Sequence, residues 1–327
     1  MKYKYIFINP FEEWGPWFYE LQSEEHENLT NFPGFKVFHN NKLKYLEYLI
    51  VSERLGKRIT TPFKRLVYNL NNLRLNDSEQ YFFLLPSATI WGMRMDYLEA
   101  YKRRHDNVKY AAILIDSFHA KSPHMNHVRE KLFSTVWDVV LTFDQRDAQE
   151  FGFRWLGYSY YSEIKNIEAY DKQSDLYYVG YLKGREKTIG EIYNKMMQAH
   201  INCDFCVVDP DTEKQTLPNT SLILKHKAVP YEDVLQHVKS SNCILEILQK
   251  GQNAQTARYF EAVIYNKKLL TNYHGITELP FYNADYMKVF DTADDIDPEW
   301  VRSRESINYN YNGMFSPLNI LKMLEDT

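Results

Sequence analysis

The densest concentration of chemistry in the sequence lies between Cys243 and Ala262, CILEILQKGQNAQTARYFEA. A buried-type apolar strand ends at Glu246 and Ile247, and a polar loop containing Gly251 follows. A helix then opens near Thr256, with Arg258 in its first turn and Glu261 one turn on. Such a joint brings backbone N–H groups and the positive end of a helix to one point, and Arg258 adds a planar cationic fork. That is what a diphosphate needs, and Gln252, Gln255, Thr256 and Arg258 crowd the same loop. The plainer account is an ordinary strand–turn–helix joint.

A second run, VGYLKGR from Val179 to Arg185, sets Gly180 at a strand end with Lys183 and Arg185 just beyond it. Lysine, arginine and helix dipoles can stabilise a departing diphosphate without a metal, so Lys183 or Arg185 suits that role; two solvated loop cations is the duller reading. Two D-x-D patterns, Asp209-Pro210-Asp211 and Asp295-Ile296-Asp297, match the metal-binding form formally. The first sits late in an already complete β/α series and the second in an acidic turn, so no metal is expected.

For a base that activates an acceptor hydroxyl, Asp116 comes first and His119 second, because both directly follow a strand; His124 and His127 lie close behind. Helix capping and surface histidines explain the same residues equally well. Glu12 and Glu13, after the first strand, are further acceptor-side candidates, with Trp14 as a sugar platform. The stretch Arg54–Arg74 interleaves six Lys and Arg with apolar residues and contains no acid. That suits docking on an anionic membrane, where a lipid-linked acceptor would be found, or simply a solvated helix face. The three cysteines include the pair Cys203 and Cys206, in a segment that reads as a strand, so they point to opposite faces and are expected to be structural thiols.

The elements that would position these residues alternate along the chain. At 327 residues it exceeds the roughly 100–200 of one domain. With 44% hydrophobic and 25% charged residues, an odd cysteine count and no apolar run long enough to span a bilayer, it reads as globular and cytoplasmic. A net charge of −4 argues against a nucleic-acid partner. Strands are expected at Tyr3–Ile8, Phe35–Phe38, Tyr81–Leu85, Tyr110–Ile115 and Val139–Phe143, with helices at Lys42–Leu55, Met93–Arg104, Asn126–Phe133 and Asp144–Phe151. After a polar linker, Glu163–Ser174, further strands are expected at Leu176–Val179, Asp204–Val208, Ser221–Leu224, Cys243–Ile247, Lys268–Thr271 and Met287–Phe290. Helices are expected at Lys187–Ala199, Tyr231–Val238, Thr256–Tyr265 and Pro317–Leu324. This order implies two α/β, doubly wound Rossmann-like domains, residues 1–165 and 166–315, with a ligand cleft at their strand carboxyl ends; a terminal helix, 316–327, would return to the first domain.

The run LEILQKGQNAQTARYFEAVIYNKKLLTN resembles the donor-domain signature of capsular and lipopolysaccharide glycosyltransferases of the GT-B type. The resemblance extends to YYVGYLKGREKTIGEI and FDQRDAQEFGF and so covers roughly the last two thirds of the chain. It implies that Gly251, Gln252, Thr256 and Arg258 contact the donor diphosphate, Glu261 the ribose, and that Asn272 lies on the same rim. A single glycine stands in the loop where relatives often carry two. The implied activity is metal-independent transfer of a sugar from a nucleotide-diphosphate donor to an oligosaccharide or lipid-linked saccharide, at the inner face of the membrane and with no bound cofactor. An epimerase of nucleotide sugars and a non-catalytic binding protein share this architecture and remain alternatives.

Overall fold

The computed structural model describes residues 2–9, 17–23, 26–33, 70, 73–118, 123–210, 215–249 and 255–327. The chain divides into two units, one of Met1–Ser162 with Phe315–Thr327 and one of Glu163–Met314.

The first unit holds six strands, β1 (Lys4–Asn9), β2 (Leu29–Pro33), β3 (Tyr81–Pro86), β4 (Val108–Ile113), β5 (Val139–Thr142) and β6 (Arg154–Trp155). They lie parallel in the order β2-β1-β3-β4-β5-β6. Side chains alternate across a strand, and both faces of this sheet are apolar, as a sheet covered on both sides requires. Ile6, Ile8, Phe83, Leu85, Tyr110 and Ala112 face one core. That core is shared with helices α2 (Ser87–Gly92), α3 (Met95–Lys102) and α4 (Pro123–Leu132). Tyr5, Phe7, Phe82, Leu84, Ala111 and Ile113 face the other. There they meet α1 (Tyr19–Ser23) and, from the far end of the chain, Ile320, Leu321 and Leu324 of the terminal helix (Asn319–Leu324). The Tyr5 hydroxyl fixes that helix by donating to Leu321 O at 2.8 Å and Glu325 Oε1 at 2.7 Å. Helix α5 (Gln145–Phe151) starts on Asp144, whose carboxylate accepts from the amides of Arg146 and Asp147.

The second unit is a five-stranded parallel sheet of β7 (Ser174–Tyr181), β8 (Cys203–Val208), β9 (Ser241–Glu246), β10 (Lys268–Thr271) and β11 (Met287–Val289), in the order β11-β10-β9-β7-β8. Its helices are α6 (Glu186–Gln198), α7 (Tyr231–Ser240), α8 (Ala257–Ile264) and α9 (Pro298–Arg302); the terminal helix of the first unit is α10. One face buries Leu176, Tyr178, Val207 and Leu245 against Ile189, Ile192 and Met196 of α6. On the other face α7 packs on β7 and α8 on β9 and β10. The expected strand at Ser221–Leu224 does not form. The segment meets the edge of β8 only where Lys225 bridges Val208, while Leu224 N donates back to Gln215 O at 2.9 Å. The expected strand Phe35–Phe38 and helix Lys42–Leu55 lie outside the described residues.

Both strand orders reverse once, between β1 and β3 in the first unit and between β7 and β9 in the second. In open parallel sheets the crevice at the carboxyl ends of such a pair is where ligands bind.

Candidate functional site

At the β7/β9 reversal of the second unit, Glu246 ends β9 with a carboxylate only 1% exposed. Burial of that charge is tolerable only with full hydrogen bonding, and three donors supply it. Oε1 accepts from Thr256 N at 3.0 Å and from the Thr256 hydroxyl, and Oε2 accepts from Thr271 Oγ1 at 2.6 Å. Thr256 is also the N-cap of α8, accepting from Arg258 N at 3.2 Å. One carboxylate thus ties together the ends of β9 and β10 and the start of α8. Asn272 continues the frame, its Oδ1 accepting from Leu248 N at 2.7 Å. Gln255, half-buried, adjoins this frame; Gly251 and Gln252 lie outside the described residues.

The end of β7 joins the frame through Arg185. Its guanidinium donates to Ile247 O, just past β9, and to Tyr181 O. A Cβ on Gly180 would meet the Tyr178 hydroxyl at 2.9 Å and the Arg185 guanidinium at 3.2 Å, so a side chain there would make the ends of both side chains shift. Lys183 and Gly184 both turn through positive φ, 41° and 79°, a bend that L residues adopt at a cost. The bend carries the Lys183 ammonium over the Tyr181 ring, 5.1 Å from its centroid, on exposed surface. Of the two cations singled out from the sequence, Arg185 is therefore spent on backbone carbonyls and Lys183 stands in solvent.

Arg258 and Glu261 point inward. The Glu261 side chain has no exposure and that of Arg258 only 12%, and Nη2 of the arginine donates to Oε1 of the glutamate at 2.7 Å. Tyr231 of α7 donates to the same oxygen at 3.1 Å. Burial raises the Glu261 carboxyl above the usual range, with Arg258 pulling the other way. The residue expected at a ribose is thus placed in the interior as the counterion of Arg258. Among the described residues, the Nη1 atom of Arg258 and the hydroxyls of Tyr177 and Tyr178 are buried without a hydrogen-bond partner.

The same sheet face continues onto β8 with a group of residues that local sequence did not reveal. Asp204 and Cys206, two apart and so on one side of the strand, meet His237 of α7, with His237 Nδ1 2.6 Å from Asp204 Oδ2. Lys225 Nζ donates to Cys206 Sγ at 3.2 Å. Burial pushes the Cys206 thiol up and Lys225 draws it down. Cys203 borders the opposite core, as the alternation requires. The signal was non-local: His237 is on another element, so no short motif contains it.

In the first unit, Asp116 lies half-buried just past the end of β4. Its loop is held by Asp147, a fully buried carboxylate on α5 that accepts from Phe118 N at 2.6 Å and Thr142 Oγ1 at 3.4 Å. A crevice beside it is lined by Trp17, Phe18, Ile115, Phe143 and Tyr160. His127 is exposed and stacks on Trp91 at 5.9 Å. Glu12, Glu13, Trp14 and His119 lie outside the described residues, as does the stretch Arg54–Arg74 apart from Leu70, Leu73 and Arg74. Asp295 and Asp297 serve helix starts: Asp295 completes a capping box by accepting from the amide and hydroxyl of the N-cap Thr292, and Asp297 is itself an N-cap, accepting from Glu299 N. Asp209 is described and Asp211 is not. Among the described residues no helix is long and apolar enough to cross a membrane.

Two parallel sheets, each flanked by helices, make up two Rossmann-like α/β units. Comparison with protein-family profiles and with curated proteins gives no match. Among solved structures, the chain is similar to the glycosyltransferase SnogD from Streptomyces nogalater, at 11% identity and TM-score 0.44, over 100% of this chain and 99% of that one. It is similar to the α,α-trehalose 6-phosphate synthase from Burkholderia multivorans at 10% identity and TM-score 0.41, over 88% and 76% of the two chains. The UDP-forming α,α-trehalose-phosphate synthase from Burkholderia vietnamiensis gives 11% identity and TM-score 0.40, over 81% and 71%.

Proposed function

We propose that the chain is a glycosyltransferase of cell-surface polysaccharide synthesis. Its second unit would hold a nucleotide-diphosphate sugar, and its first would hold a saccharide acceptor, lipid-linked or free. The observation that carries this reading is the frame around Glu246. It fixes the carboxyl ends of β9 and β10 and the N-terminus of α8 to one another at the topological reversal of a parallel sheet.

A diphosphate needs fixed donors that do not have to reorganise as charge builds up on the leaving group. The α8 N-terminus supplies the dipole, and Thr256 and Gln255 supply polar groups beside it. Lys183 supplies a cation not spent on the protein's own carbonyls. Arg185, Asn272 and Glu246 position the surrounding backbone rather than meet the donor, and Arg258 lies beneath with Glu261 as its counterion. Gly251 and Gln252 are assigned to the donor diphosphate by the sequence resemblance alone. Asp116 is the base that removes the acceptor proton, with charge on the leaving diphosphate met by Lys183 rather than by a metal ion.

The test is a panel of nucleoside diphosphates and nucleotide sugars screened by thermal shift, followed by slow donor hydrolysis with the best of them. Stabilisation by one nucleotide class together with hydrolysis of its sugar is expected. Failure of every nucleoside diphosphate to shift the transition rules out the donor site. Binding with no turnover on any acceptor favours a non-catalytic protein.

A further inference from the structure

The cluster on β8 and α7 has no part in the reading above. The ligand-type atoms of Asp204, Cys206 and His237, one from each, lie within 4.8 Å of one another. A tetrahedral zinc site built from Zn–S, Zn–N and Zn–O bonds of about 2.3, 2.1 and 2.1 Å has edges of about 3.5 Å, so small side-chain movements bring the three onto one ion.

We propose that Asp204, Cys206 and His237 form a binding site for a zinc-class divalent cation.

The donor set fits that class of metal. A thiolate, an imidazole and a single carboxylate suit zinc and similar thiophilic ions, whereas magnesium and calcium take mostly oxygen ligands. Three protein ligands leave a fourth position open, and the structure supplies access to it. A pocket of about 500 Å³ opens onto Asp204 and His237 and is also lined by Tyr170, Ser174 and Cys203. Asp204 and His237 are 31% and 20% exposed, so water reaches the ligands from the pocket side while Cys206 closes the interior side.

The surroundings also hold the ligands in place. The His237 ring is stacked flat on Tyr177, 5.2 Å between centroids and 4° between planes, and Tyr170 meets it edge-on at 4.9 Å. Such contacts fix ring orientation, which an unsupported ligand would lose entropy to acquire. Lys225 donates from Nζ to the Cys206 sulfur at 3.2 Å. It is an exposed residue whose ammonium reaches in to Cys206, so it can withdraw to water when a metal takes the thiolate. Metal binding then releases the thiol proton to solvent and ties the β8 edge strand to α7.

Cobalt(II) titration of the metal-stripped protein tests this directly. One equivalent is expected to give a near-ultraviolet sulfur-to-cobalt charge-transfer band with tetrahedral d–d absorption, both displaced by zinc. Cys206→Ser should abolish the near-ultraviolet band. His237→Gln and Asp204→Asn should each weaken zinc binding by about 100-fold or more. Cys203→Ser should leave the spectrum unchanged, and Lys225→Met, which keeps all three ligands and serves if Cys206→Ser fails to fold, should tighten binding. No charge-transfer band at a tenfold excess of cobalt, or a band that disappears in Cys203→Ser rather than with the cluster variants, overturns the site. Neither result bears on nucleotide binding.

Discussion

Arg258 Nη2 donates to Glu261 Oε1 at 2.7 Å, three residues along the same helix and inside the layer between α8 and its sheet. Removing one partner of a buried pair strands the other charge, typically at about 3–5 kcal/mol, whereas removing both in favour of apolar groups is often close to neutral. Arg258→Met alone should therefore lower the urea midpoint sharply. Arg258→Met with Glu261→Leu should recover most of the loss, as read by equilibrium unfolding. A double variant as unstable as the single one would mean that the pair is not coupled.

Thr256 links two functions through one hydroxyl, donating to Glu246 and capping α8. Thr256→Val keeps the shape and removes both, for about 1 kcal/mol of cap and a carboxylate left short of donors. Donor affinity measured by calorimetry should fall about tenfold or more, while Thr256→Ser should stay near the parent. A loss in Thr256→Ser with Thr256→Val near the parent would show that the methyl, not the hydroxyl, matters.

Lys183 and Arg185 separate in the same assay by mechanism. Lys183→Ala should lower donor affinity, and the loss should shrink as salt is raised because an exposed charge is screened. Arg185→Ala should lower the unfolding temperature as well, since it frees two carbonyls at the β7 and β9 ends. A Lys183 variant with unchanged donor affinity would remove that residue from the proposed site.

How far the sequence reached depends on whether a feature is periodic or non-local. The run LLT at Leu269–Thr271 and the runs around Phe83 and Leu245 are apolar on both faces, and that pattern belongs to buried parallel strands. The acidic cap at Asp144 was legible because it acts within three residues. Ser221–Leu224 has strand-like residues but pairs with its neighbours through turn bonds to Gln215 and Leu217, which composition does not encode. Residue types single out the Glu246–Glu261 segment as a candidate but do not tell which of its groups face outward. An acid flanked by Tyr259, Phe260, Ala262 and Val263, all buried, is the one sign in the sequence that Glu261 turns inward. The Asp204–Cys206–His237 group depends on the packing of α7 on β7, which sets His237 beside Asp204 of β8, and leaves no local trace.

Lys267 gives a pH signature. It is half-buried, donating to Lys239 O and Ser241 O at 2.7 Å each. Burial first, then Arg304 and Lys239, lower its pKa from 10.5 to about 8. Between those two values the unfolded chain holds the extra proton, so this group makes stability rise with pH from about 8 towards 10.5; below about 8 both states are protonated and that gain is lost. Lys267→Met should flatten this part of the stability–pH curve relative to the parent protein. Parallel curves over that range would place the ammonium's pKa near its ordinary value.

Asp116 and Asp147 divide the work at the end of β4. Asp116 is the proposed base, and Asp147 holds the loop that carries it by accepting from Phe118 N at 2.6 Å. Loss of a general base typically costs about 10²–10⁴ in rate. Asp116→Asn should accordingly lower kcat by about 100-fold or more with donor affinity unchanged. Asp147→Asn should do less to kcat, since the base remains, but should lower the unfolding temperature and raise the acceptor KM as the loop loosens. Asp116→Asn with kcat within about twofold of the parent would move the base elsewhere. Asp147→Asn matching Asp116→Asn in kcat, with no change in unfolding temperature, would make the buried carboxylate the reacting group instead.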